Sequence, residues 1–237
     1  MISEVSPFAM KGVLWYQGES NAADSGKSYA YKYLVFMKSF REAFKDDTIP
    51  FYAVELAPYD EWYDENRHQD RDDRFITDVT NWAYMREQQQ KAVEIGDNNY
   101  LVTTMGIGDP YDIHPIHKEE LSHRMLLKVL RHSYGFDIFA DQPVMKSAEI
   151  KNGKVIIEVD NAEGLFSRQL SGVKMYISDE THILKRAKIQ IDGNKLILEN
   201  ENVKNPVLAR YAFDMNYNGP HIYNKAGLPM APFRTDK

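Results

Sequence analysis

The sequence predicts an α/β protein: a parallel sheet covered by helices over residues 1–141, followed by a small antiparallel β domain over residues 142–237 that ends in a wrapping tail. Three observations carry this. Strand-prone apolar runs alternate with amphipathic helical stretches up to about Tyr134, the pattern of a parallel sheet. From Gln142 the pattern changes to short alternating segments separated by Gly-containing turns. A hydrophobic content of 43% is enough for a buried core, and no apolar run approaches the ~20 residues of a membrane span.

Taken in order, residues 1–10 form an irregular lead-in. The first strand covers residues 11–16, where Val13, Leu14, Trp15 and Tyr16 favour extended backbone. It stops at a polar cluster, Gln17-Gly-Glu-Ser-Asn21. Gly18 lets the backbone turn tightly there and bring an N–H close to a ligand. A plain strand-to-helix connection is the alternative. Ser28 to Phe44 reads as an amphipathic helix, with Tyr33, Met37, Phe40 and Phe44 at steps of three and four. Ile49-Pro-Phe51 leads into a second strand, Tyr52 to Ala57. From Pro58 to about Val79, Asp and Arg crowd around Trp62, Tyr63 and His68. A stretch of that length reads as a flap over the sheet edge or as a surface insertion. Thr80 or Asn81 caps a helix from Trp82 to Ile95, which Gly96 ends. Asn99 to Thr104 is the third strand. Gly106 to Pro115 is a loop, and His117 or Lys118 to Tyr134 is the third helix. In the second part, Ile150-Lys-Asn-Gly-Lys154 and Ile189-Gln-Ile-Asp-Gly-Asn194 mark two hairpin turns. Gly172 to Ser178 and Val207 to Phe213 complete one antiparallel sheet, and the Gly- and Pro-rich tail begins at Gly219.

A parallel sheet delivers the carboxyl ends of all its strands to one edge. Gln17–Asn21 follows one strand and Asp109–His114 follows another, so both are expected at that edge. The net charge of −6 argues against a nucleic-acid or anionic-membrane partner. The absence of cysteine excludes disulfides and zinc–thiolate sites. Met1 to Pro7 lacks a basic region followed by an apolar one, so no signal peptide is expected within this chain.

Asp112-Ile-His-Pro115 holds the best acid–base pair. Pro115 biases His114 away from helix, and a nearby carboxylate fixes an imidazole tautomer and stabilises its protonated form. A surface-loop histidine is the plain alternative. Asp112, His114 and His117 also have the spacing of a metal site. No further ligand follows at helix spacing, so no metal and no other cofactor is expected. His123 and His132 fall inside the third helix as structural residues, and His182 and His221 carry no motif. Trp62 and Tyr63 are candidate sugar-stacking contacts. Arg86 is a candidate contact for an acidic substrate, against the plainer reading of a solvated helix face.

Three stretches together resemble the sialate O-acetylesterase family of the SGNH hydrolase superfamily. They are Lys11-Gly-Val-Leu-Trp-Tyr-Gln-Gly-Glu-Ser-Asn21, Asp112-Ile-His-Pro115 followed by Lys118, and Tyr223-Asn-Lys-Ala-Gly-Leu-Pro-Met-Ala-Pro-Phe-Arg-Thr235. The resemblance runs over nearly the whole chain. It implies an SGNH-hydrolase-like, flavodoxin-like three-layer fold for the first part. It also implies hydrolysis of acetyl esters on sugars, sialic acid first among them, by a serine nucleophile, a histidine base and an oxyanion hole. His114 matches the family histidine. Gln17, Gly18 and Glu19 match the segment lining the oxyanion hole, with Asn21 beside them.

The chain departs from the family pattern in two places. The family nucleophile lies in a Gly-Gln-Ser-Asn-Met segment upstream of the Trp-Tyr-Gln-Gly-Glu motif, and no such segment precedes Gln17. The chain is therefore expected to be the C-terminal part of a longer, exported enzyme, with the serine supplied by an upstream fragment or domain. Many relatives carry an aspartate just after the third strand, where this chain has Gly106, so Asp112 is the first choice of acidic partner and Asp109 the second. Ser20 partly mimics a nucleophile elbow, but residue 22 is Ala rather than Gly. Its other reading is a hydrogen bond that supports the turn. An acetylxylan-type esterase and a catalytically inactive carbohydrate-binding fragment are the competing readings.

Overall fold

The structure, a computed structural model, describes residues 2–6, 8–60 and 81–236. Strands β1 (Val13–Tyr16), β2 (Phe51–Val54) and β3 (Asn99–Val102) form a parallel sheet in the order β1-β2-β3. A short helix α1 (Ile2–Val5) stands where an irregular lead-in was expected. The helices α2 (Tyr29–Phe44), α3 (Asn81–Ile95) and α4 (Lys118–His132) follow the three strands. Alternation along the strands decides which helix covers which face. Phe51 and Ala53 join a core with Tyr33 and Met37 of α2 and Met85 and Ala92 of α3. Tyr52, Val54 and Val102 face the other way, onto Leu121 of α4. Helices therefore cover both faces, and all four residues of β2 are buried.

The second strand ends at Val54, three residues before the expected Ala57. Two side chains take over the backbone there. Gln89 Oε1 accepts from Leu56 N at 2.9 Å, and Thr104 Oγ1 donates to Leu56 O at 3.0 Å. The segment leaves the ladder while its backbone groups stay paired.

The β part consists of two sheets, not the single small sheet expected. In the first, β4 (Val144–Lys151), β5 (Lys154–Asp160), β8 (Lys188–Asp192) and β9 (Lys195–Glu199) run antiparallel in the order β4-β5-β9-β8. In the second, β6 (Met175–Ser178), β7 (Lys185–Arg186), β10 (Leu208–Tyr211) and β11 (Phe233–Arg234) pair in the order β11-β10-β6-β7. Val155, Ile157, Leu196 and Leu198 of one sheet share a core with Met175, Ile177, Ala209 and Tyr211 of the other. A strand that alternates buried and exposed residues, as β5 does, hides only one face, so each sheet needs the other. The turn at Asn152-Gly153 has φ of 52° and 74°, the two left-handed residues of a type I′ hairpin.

The tail makes contacts with both parts of the chain. Tyr223 bridges to Phe166 and Pro229, and β11 completes the second sheet. Arg234 then pairs with Glu87 of α3 at 3.0 Å, and Gln90 Nε2 donates to Pro232 O at 3.2 Å. The two parts also exchange core residues: Met105 belongs to the sandwich core and Met215 to the α2–α3 core.

Candidate active site

The three parallel strands end at Tyr16, Val54 and Val102, and the segments that follow form one rim. After β1 the chain turns at Gly18 into a 3-10 helix, Glu19–Asp24. Gly18 has φ +151°, and a Cβ there would lie 2.7 Å from Met85 Cε and 3.1 Å from Gln89 Nε2. A side chain there is strained by the backbone angle and has to push both of these side-chain ends aside. The turn is held by Asn21 N donating to Gly18 O at 2.9 Å and Gln17 Nε2 donating to Asn21 Oδ1 at 2.8 Å. Gly18 N–H donates to Glu19 Oε2 at 3.0 Å, so this amide already holds a carboxylate oxygen.

Beneath the turn sits Gln89, only 2% exposed. Its Nε2 donates to Gln17 O at 3.1 Å and Val54 O at 3.3 Å, while its Oε1 accepts from Leu56. One side chain on α3 thus ties the exits of β1 and β2 together. Tyr29 Oη donates to the same Gln17 O at 3.0 Å. Sequence reasoning missed Gln89. The readable signal was its place in the apolar stripe Trp82, Met85, Gln89, Ala92, where a polar residue must find partners.

The loop after β3 packs down on the loop after β2. A Cβ on Gly108 would collide with Pro58 O, and Asp60 N donates to Pro110 O at 3.4 Å. Further along, Asp112 Oδ1 accepts from His114 N at 2.8 Å and lies 3.3 Å from His114 Nδ1. The carboxylate therefore holds the His114 backbone and lies beside its ring. The His114 side chain is 85% exposed, leaving the imidazole open to a reactant. Asp109 instead caps Tyr111 N at 2.8 Å. Ile113 packs into the same core as Ala22, the residue after Asn21, and Lys118 Nζ lies 5.5 Å from the ring centre of Tyr16. These contacts bring the two loops to one rim.

The rim is backed by buried charge. Glu55, at the exit of β2, is fully buried and accepts from Thr103 Oγ1 at 2.5 Å and Thr104 N at 3.1 Å. Burial pushes its carboxyl pKa up, against the hydrogen bonds and Arg86. Burial also raises the Tyr16 phenol to about 12, helped by the charges of Glu19 and Glu55, so Tyr16 is a neutral donor near pH 7.

Arg86 corrects both of its sequence readings. It is fully buried, donating to Asp214 O and to Met215 O at 3.4 Å, and its guanidinium lies neither on a solvated face nor open to a substrate. Ser20 is exposed and has no hydrogen-bond partner among the described residues, so it does not support the turn. His132 is structural, as expected: it stacks on Tyr100 at 3.9 Å and meets Asp141 at 3.1 Å. Trp62, Tyr63 and His68 lie outside the described residues. Among the described residues, no three His, Asp or Glu side chains are grouped to hold a metal ion.

Residues 1–134 match the carbohydrate esterase family described as sialic acid-specific acetylesterase. The chain belongs to this family. The chain is also similar to a solved structure, a carbohydrate acetylesterase from Xanthomonas citri, which is 31% identical and superposes with a TM-score of 0.86. The match covers 98% of this chain and 52% of that one, so the chain spans about half the length of that relative. No curated protein matches the chain. Both the family and the Xanthomonas structure are carbohydrate acetylesterases, that is, carboxylic ester hydrolases.

Proposed function

We propose that this chain is the C-terminal part of a carbohydrate O-acetylesterase, with sialic acid as the first sugar to test and a serine nucleophile contributed from outside the chain. What supports this reading is that the Gly18 turn and the Asp112–His114 loop both follow parallel strands at one sheet edge, with Ala22 and Ile113 in one core and Asp112 beside the His114 ring. Their chemistry fits acyl transfer. The serine Oγ attacks the acetyl carbon, and its proton passes to His114, whose tautomer Asp112 sets. The carbonyl oxygen becomes an oxyanion that takes the Gly18 N–H in place of Glu19 Oε2. His114 returns the proton to the departing sugar oxygen. Water, activated by the same imidazole, then releases acetate from the serine.

Two features support an external serine. The Gly-Gln-Ser-Asn-Met segment is absent, and Ser20 makes no bond to His114. In addition, β1 is an edge strand among the described residues, with an apolar, interior-type sequence. Such an edge is where a further strand pairs.

Magnitudes separate the contributions. One oxyanion donor is worth about 3 kcal/mol, whereas a lost nucleophile costs on the order of 10⁶-fold. The chain alone is therefore expected to be nearly inactive on p-nitrophenyl acetate. Robust turnover abolished by Ser20→Ala would overturn the external serine. Acetate release from O-acetylated sialic acid compared with acetylated xylan, by the chain joined to its serine-bearing part, tests the sugar. Faster release from xylan would replace sialic acid in this reading.

A further inference from the structure

The Gly18 amide belongs to a peptide unit that is held from its other side. The peptide between Gln17 and Gly18 is trans, since no peptide bond among the described residues is cis. In a trans peptide the C=O and the N–H point in opposite directions within one plane. Whatever holds Gln17 O therefore aims Gly18 N–H.

Two buried donors hold that oxygen. Tyr29 Oη, from the first turn of α2, donates at 3.0 Å, and Gln89 Nε2, from the middle of α3, donates at 3.1 Å. Tyr29 is 6% exposed and Gln89 2%. Both acceptor positions of the carbonyl are thus filled. The direction of the Tyr29 hydroxyl is itself set. Trp15 Nε1 donates to it at 3.3 Å, which leaves the hydroxyl's own proton for Gln17 O. Burial raises the phenol above its ordinary pKa, so that proton stays on through neutral pH. Gln89 is fixed by two further bonds: its Nε2 donates to Val54 O at 3.3 Å, and its Oε1 accepts from Leu56 N at 2.9 Å.

Such a clamp has something to resist. Glycine adopts φ of either sign at little cost, so the Gln17–Gly18 plane can turn over with small movements of its neighbours. A plane turned over points Gln17 O at the rim and Gly18 N–H at the core. A carbonyl oxygen in that place repels a developing oxyanion, where the amide attracts it. Turning also takes Gln17 O away from both of its donors, and each of these is buried.

We propose that Tyr29 and Gln89 are positioning residues for ester cleavage, which lock the Gln17–Gly18 peptide with its N–H toward the rim. The inference rests on the proposed role of Gly18 N–H as an oxyanion donor. Both side chains lie buried behind the turn, so they act through the Gln17 carbonyl and not on the substrate.

The test is steady-state hydrolysis of p-nitrophenyl acetate by the chain joined to its serine-bearing part, with Tyr29→Phe, Gln89→Met and the double variant. Tyr29→Phe keeps the ring and removes only the hydroxyl, and Gln89→Met keeps the length of the side chain. Each single variant should lower kcat about tenfold and leave KM within about twofold, because the amide acts in the transition state. The double variant should lose about 10²–10³-fold, the effect of a whole oxyanion donor. A role in folding alone would lower the urea midpoint and leave kcat of the folded enzyme intact. His114→Ala, assayed beside them, separates the clamp from the rim. If His114→Ala loses its rate while both single variants keep kcat, or raise KM alone, the clamp is wrong and the rim stands. If His114→Ala keeps its rate, the rim is wrong and the clamp falls with it. Should Gln89→Met fail to fold, Tyr29→Phe decides alone.

Discussion

Gly18 and His114 contrast: one sits where a side chain is strained, and the other has its side chain exposed. The close approach of Met85 and Gln89 to Gly18, at positive φ, predicts that Gly18→Ala destabilises the fold by about 1–3 kcal/mol. Urea denaturation measures this, and an unchanged midpoint would show that the turn is looser than described. A second residue carries a pH signature. His221 is buried, with Nδ1 at 3.1 Å from Tyr211 Oη and no partner for Nε2 among the described residues. Burial, with Arg124 adding to it, lowers its pKa to about 4 from 6.5. The unfolded chain therefore takes up a proton at a pH where the folded chain does not. Stability is undiminished above 6.5, falls as pH drops toward 4, and the total loss is about 3 kcal/mol. His221→Phe should flatten that slope in melts at pH 4 to 7. Sequence pattern exposed Asp112 and His114 because proline and spacing mark them. It was silent on His221, whose burial depends on a tail that folds back from far along the chain.

At the scale of elements, α3 is the piece that positions the rim. Its inward stripe supplies Met85 below Gly18 and Gln89 across two strand exits. Arg86, beside it, is buried with Glu55 and reaches backbone carbonyls of residues 214 and 215. Burial lowers the Arg86 pKa to about 10, against Glu55 and Asp214, so it stays charged at neutral pH. Arg86→Met should then cost about 3–5 kcal/mol by leaving Glu55 uncompensated, and adding Glu55→Gln should recover part of it. A double-mutant cycle in urea reads the coupling; strictly additive effects would mean that the two charges do not sense each other. The sequence showed α3 to within one residue at its start and at Ile95, since apolar spacing sets where a helix runs. It did not show that Arg86 points inward, because a charged residue reads as solvated until its acceptors are known, and these lie far away in sequence.

Across the whole molecule, the parallel sheet was legible because strand and helix signals alternate, and the double sheet was not, because alternation tells which face is buried and not what covers it. The interleaved cores have a consequence. Met105 sits in the sandwich core, Met215 in the helical core, and Arg234 on α3. The proposed boundary at residue 141 is therefore a change of architecture and not a line of independent folding. Unfolding followed by the fluorescence of the chain's tryptophans, all in the first part, should coincide with unfolding followed by far-UV circular dichroism. Two separated transitions would show two autonomous units.

The measurement that bears most directly on the rim is acetate release by the chain together with its serine-bearing part, wild type against His114→Ala. The predicted result is a loss on the order of 10³-fold or more, with a smaller loss for Asp112→Asn. A His114→Ala enzyme that keeps most of its rate would contradict the assignment of the rim as the place where the ester is cleaved.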